Sequence, residues 1–315
     1  MGRGRVCISA LALLCLAACD LPLLSSPQAV TSSVPAEPRP ERTAPAPSDA
    51  SRALSIHYNR VENDLVNRGL LRRDGGGPDV PFTDRMLADN FIQIALFDEY
   101  VSRAGVLVAE ENVSALRRWT RPVKLRLRFG ASIPAEQREM DRRNVVRYVD
   151  RLSRVTDHPI ELTGGSANFN VLILNEDERR GYGPQLRSLM PGITEADVQL
   201  IEDLPRDIFC VVVAFGGGET RGYSRAVAVI RGEHPDLLRL SCLHEEIAQG
   251  LGLANDSPAA RPSIFNDDEE FGLLTTHDEL LLKILYDPRL TVGMTEAEAR
   301  PIVRTIAQEL LSGTG

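Results

Sequence analysis

Apolar and polar residues alternate strictly over residues 123–129, which read Val-Lys-Leu-Arg-Leu-Arg-Phe. Successive side chains of a strand point to opposite faces, so this alternation predicts a strand with one buried face. Short apolar runs predict three further strands, at residues 170–174, 208–215 and 225–230. Apolar residues at helical spacing predict three helices, at residues 84–100, 134–155 and 237–251.

Capping signals predict two more helices at the C-terminal end of the chain. The segments Thr276–Glu279 and Thr295–Glu298 both fit a capping box, in which a threonine hydroxyl and a carboxylate satisfy each other's backbone N–H groups. The first of these helices should end before Asp287, which precedes a proline. Pro301 should kink or delay the second helix.

The order of these elements predicts an α+β fold. A mixed sheet should carry a backing helix and a second helix that bears the main sequence motif, followed by the C-terminal helices. By composition the chain divides into a signal peptide at 1–18, a Pro/Ser/Ala-rich tether at 19–51, a helical N-terminal extension at 52–120 and the α+β domain at 121–315. The folded part is expected to begin near Leu54.

The N-terminus has the pattern of a bacterial secretory signal. A basic start around Arg3 precedes a short apolar stretch over residues 6–18, too short for a stable membrane span. The segment Leu16–Cys19 resembles a lipobox, which implies that Cys19 is lipidated and becomes the mature N-terminus; the alternative is an ordinary cleaved signal with an incidental cysteine. Asp20 resembles an inner-membrane retention signal. We therefore expect a protein anchored in the cell envelope through Cys19 and facing the periplasm.

Composition and charge exclude several classes of protein and of partner. The 315 residues are 43% hydrophobic and 25% charged, which excludes a disordered or multi-span membrane protein. The formal net charge is -8, with 36 basic and 44 acidic residues, so no basic excess favours nucleic acid as a partner.

The cysteines predict one disulfide. Two of the five cysteines leave with the signal peptide and Cys19 carries the lipid, so Cys210 and Cys242 remain in the soluble part. In an oxidising compartment an even pair favours a disulfide over two thiols. A nucleophilic Cys242, two residues before His244, is the weaker alternative.

Two other motifs are better explained by structure than by chemistry. The triplet Gly216–Gly218 follows a strand, but it lacks the Lys-Ser/Thr of a phosphate-binding loop and another strand follows it, which favours a hairpin turn. The acidic run Asp267–Glu270 supplies oxygen ligands that calcium would accept. It lacks the spacing of an EF-hand, so a solvated loop is favoured.

The most distinctive motif lies in the helix at 237–251 and just beyond it, in the segment His244–Asp256 (HEEIAQGLGLAND). A zinc-peptidase helix places two histidines one turn apart, with a glutamate beside the first as the base. In the frame that starts at Glu245, the spacing of the extended metzincin motif is reproduced, with Glu246 as the base. The ligand positions are occupied by Glu245, Gln249 and Asn255, which form a poor set for zinc.

These residues resemble the zincin metallopeptidases, and the matrixin-like enzymes among them, with the zinc-binding histidines replaced. Phe265, in the segment 263–265, stands where those enzymes have the methionine of their Met-turn. The segment Cys242–Asp256 also looks like a recurrent bacterial domain-of-unknown-function family of secreted proteins and lipoproteins, and the likeness covers most of the chain after about residue 80. The resemblance implies a zincin-like fold and brings no established activity.

Two functions remain open at the level of sequence. In the first, the domain is a non-catalytic zincin-like scaffold that binds a peptide or protein partner in the envelope, with no metal or other cofactor. In the second, it is an atypical metal-dependent hydrolase with Glu246 as general base, and only then is zinc expected. The candidate binding residues are His244, Glu245, Gln249, Asn255, Asp256 and His277. Convergence of Glu245, Gln249, Asn255 and His277 within metal-bonding reach, around an open cleft, would favour the enzyme.

Overall fold

The computed structural model of the protein describes residues 45–103, 106–216, 222–266 and 268–313. The predicted signal peptide, Cys19 and most of the stretch predicted as a tether lie outside these residues. The first helix, α1, spans Asp49–Asn67 and therefore begins within the stretch assigned to the tether. The Ser48 side chain accepts a hydrogen bond from Ser51 N, which caps this helix at its N-terminus.

The second helix, α2, spans Asp84–Ala95, so the prediction of one helix over 84–100 was wrong in its last turn. The chain leaves the helical conformation at Leu96 and forms strand β1, Phe97–Arg103, which pairs antiparallel with β2, Val106–Val113. Pairing with a partner strand decides the conformation of this segment, which the helical spacing of its apolar residues could not show.

A five-stranded sheet in the order β4-β3-β5-β7-β6 forms the centre of the domain. Its strands are β3 (Val123–Phe129), β4 (Ile160–Leu162), β5 (Phe169–Leu174), β6 (Cys210–Gly216) and β7 (Tyr223–Arg231). The four strands other than β6 run parallel, and β6 pairs antiparallel with β7, from Cys210 opposite Ile230 to Gly216 opposite Tyr223. This mostly parallel, mixed sheet confirms the α+β class and the β6–β7 hairpin; Gly217 and Gly218 lie outside the described residues.

The burial of each strand follows its place in the sheet. Every residue of the central strand β5 is buried, as expected for a parallel strand covered on both faces. Along β3, buried and partly exposed positions alternate, as its sequence predicted. Strand β6 is apolar yet only half-buried, because it lies at the edge of the sheet.

Helices cover both faces of the sheet. The backing helix α3, Ala135–Thr156, and the motif helix α7, Asp236–Gln249, share the main hydrophobic core with β3 and β5. Three short helices follow β5, and the second and third of them pack on the opposite face, around Leu172 and Val229. No sequence pattern predicted these helices. They are α4 (Glu176–Arg180), α5 (Gly183–Leu189) and α6 (Glu195–Glu202).

The C-terminal helices are α8, Thr276–Tyr286, and α9, Glu296–Ser312. Helix α9 has the predicted capping box at Thr295 and begins before Pro301, so the proline does not delay it. The box of α8 lies one residue earlier than predicted, because Thr275 rather than Thr276 is the cap and its partner is Asp278. No helix in the described part of the chain is long and apolar enough to cross a membrane.

Candidate functional site

The motif helix α7 is held in place by charged groups at its first turns. Its cap residue is Pro235, whose side chain offers no hydrogen bond, and Glu62 of α1 accepts a bond from Leu238 N at 2.8 Å instead. The Arg239 guanidinium donates to both carboxylate oxygens of Asp141 on α3, at 2.9 and 3.0 Å, with both side chains buried. These contacts fix the helix against α1 and α3.

One face of α7 lines a cleft of about 350 Å³ between the helix and strand β6. Glu245, Glu246 and Gln249 all lie on this face, since positions i, i+1 and i+4 of a helix point in similar directions. Asp256 joins them from the segment after the helix, where its Oδ1 accepts a hydrogen bond from Gln249 Nε2 at 3.0 Å. Four of the sequence-predicted site residues therefore meet around one cleft.

The opposite wall of the cleft is the edge strand of the sheet. Within the described residues the sheet ends at β6, so one hydrogen-bonding edge of this strand faces away from β7. This wall consists of the first five residues of β6 and the two residues before the strand, all of them apolar: Ile208, Phe209, Cys210, Val211, Val212, Val213 and Ala214. The cleft therefore combines an apolar strand edge on one wall with polar side chains on the other.

The predicted disulfide joins the two walls. The sulfur atoms of Cys210 on β6 and Cys242 on α7 are 2.06 Å apart, with the Cα atoms at 5.9 Å. A nucleophilic cysteine must be a thiolate, and a sulfur in a disulfide is not one. The disulfide therefore argues against Cys242 as a nucleophile.

His244 lies on the opposite face of α7, away from the cleft. Its ring stacks on that of Tyr148 with the centroids 3.9 Å apart, and its Nδ1 accepts a hydrogen bond from Leu274 N at 3.1 Å. Burial, with a smaller effect from Arg151, lowers the pKa of His244 to about 3. The neutral imidazole is therefore part of the core between α7 and α3.

Asn255 and His277 also lie outside the group that lines the cleft. The side-chain Nδ2 of Asn255 donates a hydrogen bond to the carbonyl oxygen of Gln93 at 3.0 Å, and the backbone N–H of Asn255 donates to the carbonyl oxygen of Ile94. His277 is fully buried, with its Nε2 3.1 Å from Asn90 Nδ2. Asn255 stands at a ligand position of the metzincin-like motif, but the structure brings Asp256 rather than Asn255 to the cleft.

Gly252 directs the chain after the motif helix. Its φ of +132° favours glycine, and a Cβ at this position would lie 2.4 Å from the carbonyl oxygen of Arg117. The turn allows the following residues to reach the cleft and α2.

The described residues that line the cleft offer carboxylate and amide oxygens to a metal, but no imidazole. A catalytic zinc site uses imidazole, thiolate or carboxylate ligands in tetrahedral geometry, and no histidine is among the described residues that line the cleft. The ligand atoms of Cys210, Glu245 and Glu246 lie within 4.8 Å of one another, but the cysteine sulfur is in the disulfide. The remaining donors are carboxylates and an amide, which are the weaker zinc ligands.

Several cleft residues are brought there only by the fold, and no sequence motif singles them out. They are Arg117, Asp197, Leu200, Asp207 and Tyr223. Burial raises the pKa of the Tyr223 hydroxyl, and a hydrogen bond with the Arg117 side chain opposes this effect.

The acidic run at 267–270 divides between the cleft and the surface. Asp267 lies outside the described residues, and Glu269 lines the cleft. Glu270 is held by Arg72 and Arg261, with its carboxylate oxygens 3.2 and 2.5 Å from their nitrogens. Two arginines therefore neutralise the Glu270 carboxylate.

Comparison with known proteins gives one match. The profile of the family described as "Protein of unknown function (DUF2927)" matches residues 84–305, well over half of the chain. Neither a curated protein nor a solved structure shows significant similarity to the chain. The matched range begins with α2, contains every residue that lines the cleft and leaves out α1. The match confirms that the chain has a domain of unknown function, and the chain therefore belongs to the family of proteins of unknown function DUF2927.

Proposed function

We propose that this protein is a lipid-anchored component of the bacterial cell envelope whose cleft binds an extended segment of a peptide or protein partner without hydrolysing it. The observation that carries the proposal is the edge strand β6, which forms one wall of a cleft next to the motif helix. An exposed edge offers backbone N–H and C=O groups to an added strand, and pockets beside it accept alternate side chains.

The architecture supports a distant likeness to the zincins. A mixed sheet carries the backing helix α3, and the motif helix α7 follows the β6–β7 hairpin, with two further helices after it. In this reading Glu246 occupies the position of the catalytic base, at the cleft and almost fully buried. Without imidazole ligands, the cleft retains the shape of a substrate site and lacks the chemistry of a zinc peptidase.

The anchoring part of the proposal rests on the sequence Leu16-Ala17-Ala18-Cys19. The Cys210–Cys242 disulfide supports an oxidising compartment such as the periplasm. Substitution Cys19→Ser should release the protein from the membrane fraction or leave it unprocessed. The expected readout is a lipid mass on the N-terminal peptide of the natural protein, absent in the variant. Identical membrane fractionation of both proteins, without a lipid mass, would refute the anchor.

Strand addition can be tested with the full-length protein. Peptides of about ten residues would be screened by fluorescence anisotropy, and each binder compared with a copy that is N-methylated at alternate residues. We expect N-methylation of one of the two alternating sets to abolish binding, because those N–H groups would pair with β6. Hydrogen exchange should slow at the amides of residues 210–216 and stay unchanged in the buried strand β5.

The same incubations distinguish binding from hydrolysis. Mass spectrometry should recover each bound peptide intact, with or without a chelator. Chelator-sensitive cleavage that Glu246→Gln abolishes would refute the non-catalytic proposal and establish the hydrolase with Glu246 as base.

A further inference from the structure

Helix α1 lies outside the matched range and packs on the domain through a small apolar cluster of its own. The buried members of this cluster, which we call the α1 cluster, are Leu54, Tyr58, Leu65, Leu71 and Leu238. The α1 cluster is separate from the main hydrophobic core and from the core on the opposite face of the sheet. An element held by a satellite cluster can open while the rest of a domain stays folded. The contacts of α1 are therefore those of a unit that can leave the domain by itself.

Two buried polar atoms next to α1 have no hydrogen-bond partner among the described residues. They are Glu233 Oε2 and His234 Nε2, in residues that are 4% and 2% exposed. The Ser51 hydroxyl of α1 donates to Glu233 Oε1 at 2.7 Å. The Tyr58 ring of α1 lies edge-on to that of His234, with the centroids 4.4 Å apart. A buried polar atom without a partner costs free energy, which hydration restores. Release of α1 would open both side chains to water, so these atoms weaken its docking.

Phe209 connects α1 to the wall of the cleft that β6 forms. This half-buried side chain packs against both the α1 cluster and the main core, and it lines the cleft. The Tyr58 ring lies edge-on to the Phe209 ring, with the centroids 6.1 Å apart. The Tyr58 hydroxyl also donates to the carbonyl oxygen of Arg206 at 3.1 Å. These contacts hold the segment that leads into β6, which begins at Cys210.

Two further contacts join this N-terminal part of the chain to the cleft. Glu62 of α1 accepts the bond from Leu238 N at the start of the motif helix, which forms the other wall. After α1 the chain meets the segment of Glu269, which lines the cleft: Leu71 N donates to Glu269 O at 2.8 Å. Helix α1 and the residues that follow it therefore support both walls of the cleft.

We infer that α1 is a releasable brace that regulates the cleft: the docked helix holds the two walls in place for an added strand, and release of the helix lowers the affinity for that strand. The inference rests on the proposed function, because it concerns the regulation of the same cleft. In the sequence α1 joins the domain to the stretch predicted as a tether, so a restraint on that stretch acts on the cleft through this helix. Coupling between two sites is reciprocal, so a bound segment also keeps α1 docked.

The first test measures hydrogen exchange in the full-length protein and its variant Leu54→Ala. Leu54 is buried under α1 and is not among the described residues that line the cleft. The amides of residues 54–67 should exchange at least about thirtyfold faster in the variant, as expected for the loss of a buried leucine contact. The amides of residues 210–216 should exchange at least about threefold faster and those of β5 at the natural rate. The matched control is Ile56→Ala, which shortens an exposed side chain of the same helix and should leave all three rates unchanged.

The second test uses the tightest binder of the peptide screen described above. Leu54→Ala should bind this peptide at least about fivefold more weakly than the natural protein, and Ile56→Ala should bind it equally well. On the natural protein, a saturating concentration of the peptide should slow the exchange of the amides of α1 by a similar factor, because the coupling is reciprocal. A merely structural role of α1 would not produce this effect of the peptide. The measurement on the natural protein needs no variant and decides the inference if Leu54→Ala fails to fold.

The outcomes separate the inference from the proposed function. If the peptide binds but neither slows the exchange of α1 nor binds more weakly to Leu54→Ala, the inference alone is refuted. The same holds if α1 and β5 of the natural protein exchange through one common opening, because α1 is then not releasable. If no peptide binds while Leu54→Ala still speeds exchange at residues 210–216, the proposed function is refuted and the coupling of α1 to β6 stands. If no peptide binds and those rates are unchanged, both are refuted.

Discussion

Reducing the bond between Cys210 and Cys242 should destabilise the protein by about 3.7 kcal/mol at 25 °C. The two cysteines are 32 residues apart, and the loop-closure relation for a cross-link of that length gives this value. The bond joins the edge strand β6 to the motif helix α7, so its loss also frees one wall of the cleft from the other.

The assay is urea-induced unfolding followed by circular dichroism, with and without a phosphine reductant. For a slope of about 3 kcal/mol per M, the midpoint should fall by about 1.2 M on reduction. The variant Cys210→Ala/Cys242→Ala is the control, because it should unfold at the same midpoint under both conditions. Alanine is preferred to serine because Cys242 is buried in the core, where a hydroxyl would need a partner.

Two results would refute this reasoning. If the natural protein unfolds at the same midpoint with and without reductant, the cross-link does not limit the unfolded chain. If the unreduced protein shows the thiols of Cys210 and Cys242 in a mass-spectrometric alkylation assay under denaturing conditions, the bond is not formed in the protein.

Two further predictions concern Gly252 and His244. Gly252→Ala should destabilise the protein by about 3 kcal/mol in the same urea assay, since a strained φ and a backbone clash combine there. The control Gly313→Ala, with φ +73° and no atom within 4 Å of the added Cβ, should cost about 1 kcal/mol, and equal losses would contradict the argument. The pKa of His244 is about 3 in the folded protein, against about 6.5 in the unfolded chain, so the unfolded state takes up the proton first. The stability given by the neutral ring is complete above pH 6.5 and is lost as the pH falls towards 3, by up to about 1.4 kcal/mol per pH unit. The stability of His244→Gln should fall less steeply between pH 6 and 5, and parallel profiles of the two proteins would refute this account.

The sequence by itself determined the elements whose signals are local. Alternation in residues 123–129 was sufficient for β3, because the period of side chains along a strand does not depend on its neighbours. The capping box at Thr295 followed in the same way, from hydrogen bonds within one turn, and the helical spacing of apolar residues over 134–155 was sufficient for α3. The pairing of Cys210 with Cys242 followed from the number of cysteines left in the soluble part.

Only the tertiary structure decided which residues of the motif share the cleft. Adjacent positions of a helix lie about 100° apart around its axis, so residues 244 to 246 cannot all face the same way. The hydrophobic core covers the face that carries His244, which stacks on Tyr148. Glu245 and Glu246 therefore face the cleft beside β6. The end of α2 at Ala95 was decided by strand pairing with residues 106–113. Arg117 and Tyr223 line the cleft beside the motif helix through contacts between segments far apart in sequence, and no local pattern encodes that meeting.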